Sequence, residues 1–210
     1  MRFAELDAVT VDGFGTLVEL VDPVPALADA LRSRGVERSP DLVRRAFAAE
    51  VAYYRPRAAT GRDPESLATL RLECARVFLE AAEAQLEAEP FVDAFMASIV
   101  MQPVPGALET AASLRACGLE LAVVSNWDIG LRDHLDRIGA AWIFSAIVTT
   151  AETGAAKADG AVFRIALERL GVEPARGLHV GDEPEDETGA RAAGMRFASP
   201  PLVTAFEGWT

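Results

Sequence analysis

The apolar residues of this chain follow two different periods, and each period predicts a different kind of element. Short apolar runs, of which residues 8–11 are the first, are typical of strands buried on both faces of a sheet. Similar runs occur at residues 119–125, 146–150, 177–181 and 195–199. Amphipathic segments with apolar residues three and four apart lie between the later runs and predict helices. This alternation predicts an α/β fold, a Rossmann-like core with a parallel sheet.

A long helical stretch separates the first strand from the second. Ser39 and Asp63 each precede a proline, which is a common way to start a helix. A helical stretch of this size can form a small domain of its own. We therefore predict a core of residues 1–18 and 101–210 with an inserted all-helical domain of residues 19–100. Its four predicted helices cover residues 24–35, 39–54, 63–87 and 90–100.

Composition and charge exclude several classes of function. Half of the 210 residues are hydrophobic, and the net charge is −12. Nucleic acids and anionic membranes attract clustered cations, so we expect neither as a partner. Glu5 and Asp7 interrupt the N-terminal segment, which lacks the apolar core of a signal peptide. Cys74 and Cys117 are far apart and indicate reduced thiols, so we expect a cytoplasmic protein. Nothing in the sequence indicates an oligomeric state.

Polar residues follow the predicted strands at the end where parallel sheets bind their ligands. Asp12 follows the first strand, and Asp182 follows the fourth. Ser125 and Asn126 lie at the end of the second strand. Lys157 lies in the loop after the third strand. We expect these side chains to face one crevice.

The charges of this crevice favour a bound cation. Asp186, four residues after Asp182, brings a third carboxylate to it. Two carboxylates about 4 Å apart repel each other by about 4 kcal/mol at an effective dielectric constant near 20, and Lys157 neutralises only one charge. Oxygen ligands suit Mg²⁺, and a metal beside an aspartate favours a phosphate substrate. Asp12 could then attack phosphorus and form an aspartyl-phosphate.

The segments "DGFGTL", "VVSN" and "VGDEPED", with Lys157 between the last two, resemble the four motifs of the haloacid dehalogenase superfamily. The motifs extend over nearly the whole core, and the helical stretch resembles the helical cap of that family. The resemblance implies a Mg²⁺-dependent phosphohydrolase that acts on a small phosphorylated metabolite. It implies that Asp12 is the nucleophile, that Ser125 binds the transferred group and that Lys157 stabilises the nucleophile and the intermediate.

The resemblance also implies a metal site and further contacts. The Mg²⁺ ligands would be Asp12, Asp182 and the backbone carbonyl of Phe14, with Asp186 supporting the metal directly or through another ligand. The residues expected around the substrate, besides Ser125, are Thr16, Asn126 and Trp127. Thr16 would brace the turn, Asn126 would orient a loop, and Trp127 would line the pocket or pack against the cap.

Phe14 departs from the pattern of the family's phosphatases, which usually carry there a second aspartate that protonates the leaving oxygen. General acid catalysis contributes about 10²–10⁴-fold. The 2-haloacid dehalogenases of the superfamily also carry an aromatic residue there, and their chemistry does not need the acid, because a halide leaves without a proton. We rank the phosphohydrolase first, since "GDEPED" retains an acidic cluster. A dehalogenase-like hydrolase is second, and a non-catalytic binding protein is third.

Three further sets of residues have open interpretations. Asp128 is a candidate replacement acid, and equally a cap for the following helix. Three arginines of the helical stretch could bind a substrate carboxylate, although a solvated surface is the simpler interpretation. These arginines are Arg55, Arg57 and Arg62. His179 lies within a strand and is expected in the core rather than as a base.

Overall fold

A computed structural model describes residues 5–206 of the chain. The chain forms two compact units. One unit contains the described residues up to Glu19 together with those from Gln102 onwards, and the other contains Leu20–Met101. These limits differ by one residue from the predicted domain boundaries.

Seven strands occur in the described residues, and five of them form the sheet of the first unit. They are β1 (Ala8–Val11), β2 (Val18–Leu20), β3 (Met101–Pro103), β4 (Glu120–Ser125), β5 (Ala146–Thr149), β6 (Gly177–Val180) and β7 (Arg196–Ala198). The sheet has the order β5-β4-β1-β6-β7, and its strands are parallel. The predicted α/β fold with a parallel sheet is therefore confirmed. Because β1 is central, Asp12 emerges between the ends of β4 and β6.

Nine α-helices occur in the described residues. They are α1 (Val24–Arg32), α2 (Pro40–Tyr54), α3 (Pro64–Ala81), α4 (Val92–Ser98), α5 (Ala107–Ala116), α6 (Leu131–Arg137), α7 (Thr150–Thr153), α8 (Ala161–Leu170) and α9 (Pro184–Ala192). Short 3₁₀ helices cover Arg55–Thr60, Glu89–Phe91, Ala141–Ile143 and Pro174–Arg176. Within residues 5–206, no helix combines the length and the apolar character needed to cross a membrane.

Apolar residues on both faces of the sheet hold the site in place. Ala122 and Val124 of β4 pack with Phe163 and Leu167 of α8 on one face. Val123 points to the opposite face and is also completely buried. A sheet that is buried on both faces fixes the ends of its strands, where the polar residues lie.

The second unit is built from α1 to α4 around an apolar core. Ser39 caps α2, and Asp63 caps α3 by accepting a hydrogen bond from the Ser66 N–H at 2.8 Å. The sequence predicted that the third helix extends to residue 87, which is wrong. The helix ends at Ala81, and Arg38 Nε donates to the Ala82 carbonyl at 2.8 Å, so a distant side chain stabilises this end.

The short strands β2 and β3 were not predicted. They pair with each other in a separate two-stranded sheet, where the chain passes from one unit to the other. Gln102 Nε2 donates to Glu19 Oε1 at 2.9 Å. Each strand has three residues, and runs this short carry little periodicity.

Candidate active site

The turn after β1 places Asp12 at the centre of the site. The Asp12 N–H donates to the Val180 carbonyl at 2.9 Å, so the backbone stays in register with β6. Two close approaches in this turn require glycine. A Cβ atom at Gly13 would lie 2.8 Å from Ser125 Oγ, and one at Gly15, whose φ is +83°, would lie 2.6 Å from Asp182 Oδ2.

Asp12 contacts two of the predicted partners directly. Its Oδ1 accepts hydrogen bonds from Lys157 Nζ at 2.5 Å and from Ser125 Oγ at 3.2 Å. All three residues are buried, with no more than 3% of their surface exposed. In this setting an ion pair is only weakly screened by solvent.

Lys157 is shared between two carboxylates. Besides Asp12, its Nζ contacts Asp186 Oδ1, and Asp186 is completely buried. Asp186 Oδ2 accepts a hydrogen bond from the Glu183 N–H at 3.0 Å, at the start of α9. The hydrogen bonds of Asp186 therefore fix both of its oxygens.

Asp182 differs from the other two aspartates because it is exposed. It accepts a hydrogen bond from Thr16 Oγ1 at 3.1 Å. One carboxylate oxygen from each of Asp12, Asp182 and Asp186 lies within 4.8 Å of the others. Three carboxylates with a single ammonium group leave an excess of negative charge, and this all-oxygen donor set fits a hard divalent cation such as Mg²⁺.

The pKa values of these groups reflect burial and mutual charge. Burial is the main factor that raises the pKa of Asp12 to about 6; Lys157 opposes the rise, while Asp186 and Asp182 add to it. Burial also acts against the charged form of Asp186, but the hydrogen bond from His179 and the charge of Lys157 lower its pKa to about 2. For Lys157 the two carboxylates outweigh burial and raise its pKa. The ammonium group therefore stays charged.

Two aromatic rings lie beside the turn. Phe14 is 46% exposed, and the centre of its ring is 6.4 Å from that of Trp127. Trp127 is buried, and its ring centre is 5.7 Å from that of His134. Trp127 thus packs between Phe14 and His134, and Phe14 is the ring open to solvent.

The side chains of two predicted residues after β4 are held by hydrogen bonds. Asn126 Nδ2 donates to Glu185 Oε2 at 3.0 Å, a partner that the sequence did not suggest. Asp128 is buried, and its Oδ1 accepts a hydrogen bond from the Gly130 N–H at 2.7 Å, just before α6. One oxygen of Asp128 is therefore engaged at the start of this helix.

The three candidate arginines lie in the helical unit and are exposed. The Arg57 guanidinium lies over the Tyr53 ring, 4.1 Å from its centre, and donates to the Tyr53 carbonyl. Arg55 belongs to the same 3₁₀ helix, and Arg62 follows it. The contacts of Arg57 are those of a surface residue.

His179 and Thr10 form a polar pair that the sequence analysis did not join. Both are completely buried, and Thr10 Oγ1 lies 2.8 Å from His179 Nδ1. His179 Nε2 lies 3.0 Å from Asp186 Oδ1, and burial lowers the pKa of His179. The available signal was a polar residue within each of two otherwise apolar strands, "AVTV" and "GLHV".

Comparison with known proteins identifies relatives of this arrangement. A sequence model of the haloacid dehalogenase-like hydrolase family matches residues 6–194. Haloacid dehalogenase-like hydrolase domain-containing protein 3 of Bos taurus is 40% identical over 109 residues, which are 51% of this chain and 43% of that protein. The phosphoserine phosphatase of Thermus thermophilus is 38% identical over 128 residues, which are 58% of this chain and 51% of that protein. The chain spans about half the length of the curated relatives it matches.

Solved structures add a relative with a different activity in its name. The 2-haloacid dehalogenase of Pseudomonas syringae has a TM-score of 0.61 and 26% identity, and the match covers 91% of this chain and 85% of that one. Proteins named as phosphatases and as dehalogenases therefore both resemble this chain.

Proposed function

Because this chain belongs to the haloacid dehalogenase-like hydrolase family, we propose that it is a Mg²⁺-dependent phosphohydrolase acting on a small phosphorylated metabolite. The observation that carries the proposal is the contact of Asp12 with both Lys157 and Ser125, beside the exposed carboxylate of Asp182. Phosphoryl transfer needs positive charge around the phosphoryl oxygens. The buried Lys157 ammonium supplies one positive charge, and a Mg²⁺ ion bound by the three clustered carboxylates would supply the rest. The similarity to the phosphoserine phosphatase of Thermus thermophilus supports the same choice.

This geometry supports the roles that we propose for the residues. Asp12 attacks phosphorus through a carboxylate oxygen, the bond from phosphorus to the leaving oxygen breaks, and an aspartyl-phosphate forms. Lys157 orients Asp12 and, with Ser125, stabilises the phosphoryl oxygens. Water then hydrolyses the intermediate and restores Asp12. Asp12, Asp182 and the Phe14 carbonyl, with support from Asp186, would hold Mg²⁺, which would supply positive charge to stabilise the phosphoryl oxygens.

The leaving oxygen of an alkyl phosphate needs a proton, and Phe14 cannot provide one. Asp128 is our candidate for the acid, although one of its oxygens already accepts from Gly130. We expect Asp128→Asn to lower turnover of an alkyl phosphate and to leave turnover of an aryl phosphate nearly unchanged, since an aryl oxide needs little protonation. Equal effects on both esters would exclude the acid role.

The deciding experiment is a screen of phosphorylated metabolites and one chromogenic aryl phosphate, with and without Mg²⁺. Wild type should release phosphate only with the metal, and Asp12→Asn should release none. Asp136→Asn, which changes an exposed aspartate of α6, is the matched control. Metal-independent phosphate release, or release by Asp12→Asn, would refute the proposal.

A dehalogenase-like activity is the second candidate, and the exposed Phe14 ring beside Asp12 favours it. The 26% identical dehalogenase structure supports the same alternative. Halide release from 2-chloropropionate without metal, lost in Asp12→Asn, would replace the first proposal. Neither activity in a folded protein would favour a binding function.

We also propose the cytoplasm as the location of the protein and the helical unit as an inserted cap. Within residues 5–206, neither Cys74 nor Cys117 forms a disulfide bond, which is compatible with a reducing compartment. The net charge of −12 is unsuited to nucleic acid or to an anionic membrane surface. The helical unit follows the first motif in the chain, where the resemblance places the cap.

A further inference from the structure

Two buried residues outside the proposed mechanism connect the sheet to the charged groups of the site. Thr10 and His179 are register partners on β1 and β6. His179 contacts Thr10 through one ring nitrogen and Asp186 through the other. Asp186 contacts Lys157, and Lys157 contacts Asp12. A continuous chain of polar contacts therefore joins Thr10 to Asp12.

The chemistry of the acceptors sets the direction of these hydrogen bonds. An ionised carboxylate only accepts, so His179 Nε2 carries a hydrogen and donates it to Asp186. In a neutral imidazole the other nitrogen then has no hydrogen, and His179 Nδ1 accepts from the Thr10 hydroxyl. Asp186 thus selects the form of the ring that donates to it, and the Thr10 hydroxyl supports this form by donating to Nδ1.

The hydrogen bond from His179 matters because Asp186 and Asp12 share one ammonium group. Asp186 Oδ1 contacts both His179 Nε2 and Lys157 Nζ. The position of this oxygen therefore decides where the Lys157 ammonium lies. Without the donor from His179, Asp186 would depend on Lys157 for more of its stabilisation and would compete with Asp12 for it.

We propose that Thr10 and His179 are positioning residues that fix Asp186 and, through it, hold the Lys157 ammonium against the nucleophile Asp12. This inference rests on the proposed function, because it assigns the two residues to the same site. His179 acts through its N–H group rather than through its bulk. Its ring also packs edge-on against Phe163, with ring centres 4.7 Å apart, so bulk and hydrogen bonding need separate tests.

Two variants of His179 distinguish hydrogen bonding from bulk, because the two roles predict opposite orders of kcat. His179→Phe keeps an aromatic ring for Phe163 but has no donor, whereas His179→Gln keeps a donor near the position of Nε2 and loses the ring. The proposal predicts that kcat falls about 10- to 100-fold in His179→Phe and less in His179→Gln, with KM and the Mg²⁺ requirement changing less than threefold. A purely structural residue would give the reverse order, and that result would overturn the proposal.

Thr10 provides a second pair of variants that change the buried volume very little. Thr10→Val is nearly isosteric and removes the hydroxyl, whereas Thr10→Ser retains it. We expect kcat about three- to tenfold lower in Thr10→Val than in Thr10→Ser, after correction for the folded fraction measured by circular dichroism. Equal kcat values in these two variants would overturn the proposal even if both His179 variants failed to fold.

A readout without turnover distinguishes this inference from the proposed function. Lys157 is the only lysine in the sequence, so selective ¹³C and ¹⁵N labelling of lysine gives one side-chain signal in NMR spectra. The Lys157 signal should shift in Thr10→Val and stay near its wild-type position in Thr10→Ser. An unmoved signal in Thr10→Val would overturn the positioning role. A wild type without phosphatase activity would instead refute only the proposed function.

Discussion

Replacement of Asp12, the proposed nucleophile, by asparagine should make the metal-free protein more stable while it abolishes turnover. Burial, opposed by Lys157, raises the pKa of Asp12 from 3.8 to about 6. A rise of this size corresponds to about 3 kcal/mol of stability lost above pH 6. In Asp12→Asn this cost disappears, Lys157 remains paired with Asp186, and part of the attraction to Lys157 is lost. We expect a net gain of about 1–3 kcal/mol in the free energy of unfolding.

The gain should depend on pH with a definite sign. The folded-state pKa of Asp12 lies above its unfolded value, so ionisation destabilises the fold. This penalty is absent below pH 3.8, grows between pH 3.8 and about 6, and is constant above that. Calorimetry in the presence of a chelator should therefore show a Tm about 2–12 °C higher for Asp12→Asn at pH 8, and nearly equal Tm values at pH 4.

Two controls test the physical reason. Asp136→Asn removes an exposed charge and should change stability by less than about 0.5 kcal/mol at either pH. Adding Mg²⁺ should stabilise wild type more than Asp12→Asn, because a bound cation favours the charged carboxylate. A Tm of Asp12→Asn at or below that of wild type at pH 8, or an equal gain at pH 4 and pH 8, would refute the reasoning.

Three further predictions concern the turn and the buried lysine. Phe14→Asp should raise kcat/KM for alkyl phosphates by tenfold or more and change that for an aryl phosphate little, as a comparison of the two esters will show; equal effects would mean that protonation does not limit turnover. Gly15→Ala should weaken Mg²⁺ binding in titration calorimetry, because its Cβ would lie 2.6 Å from Asp182 Oδ2. Gly35 has a similar positive φ and open space around it, so Gly35→Ala is the control. Unchanged Mg²⁺ affinity in Gly15→Ala would contradict the argument. Lys157→Met should lose turnover and about 3–5 kcal/mol of stability in denaturant unfolding, because two buried carboxylates lose their shared cation. A smaller loss of stability at pH 8 than at pH 5 would show that the two carboxylates do not repel each other.

Local sequence was sufficient for the parts of the fold that depend on neighbouring residues. The strand at residues 8–11 and the glycine-rich turn after it are adjacent in the chain, so the position of Asp12 at a strand end could be predicted. The helix starts at Ser39 and Asp63 were predictable for the same reason, since a cap lies within three residues of its acceptor. The structure brings Lys157 onto Asp12 as the motif order suggested, while the chemical roles remain predictions.

The features that sequence analysis missed depend on distant partners. The end of α3 depends on Arg38, whose side chain binds the carbonyl of Ala82. The pairing of Thr10 with His179 depends on the register between β1 and β6, which no local pattern encodes. Hydrophobic periodicity shows which residues are buried, but it does not show which buried polar groups meet.

The packing of Trp127 between Phe14 and His134 has an optical consequence. Trp142 is 68% exposed, so a dissolved quencher such as acrylamide should reach its indole and spare that of Trp127. With Trp142 and Trp209 replaced by phenylalanine, the remaining emission comes from the indole of Trp127, which lies next to Phe14 in the turn after β1. The intensity and wavelength of that emission would then report when a ligand enters the site, without any label.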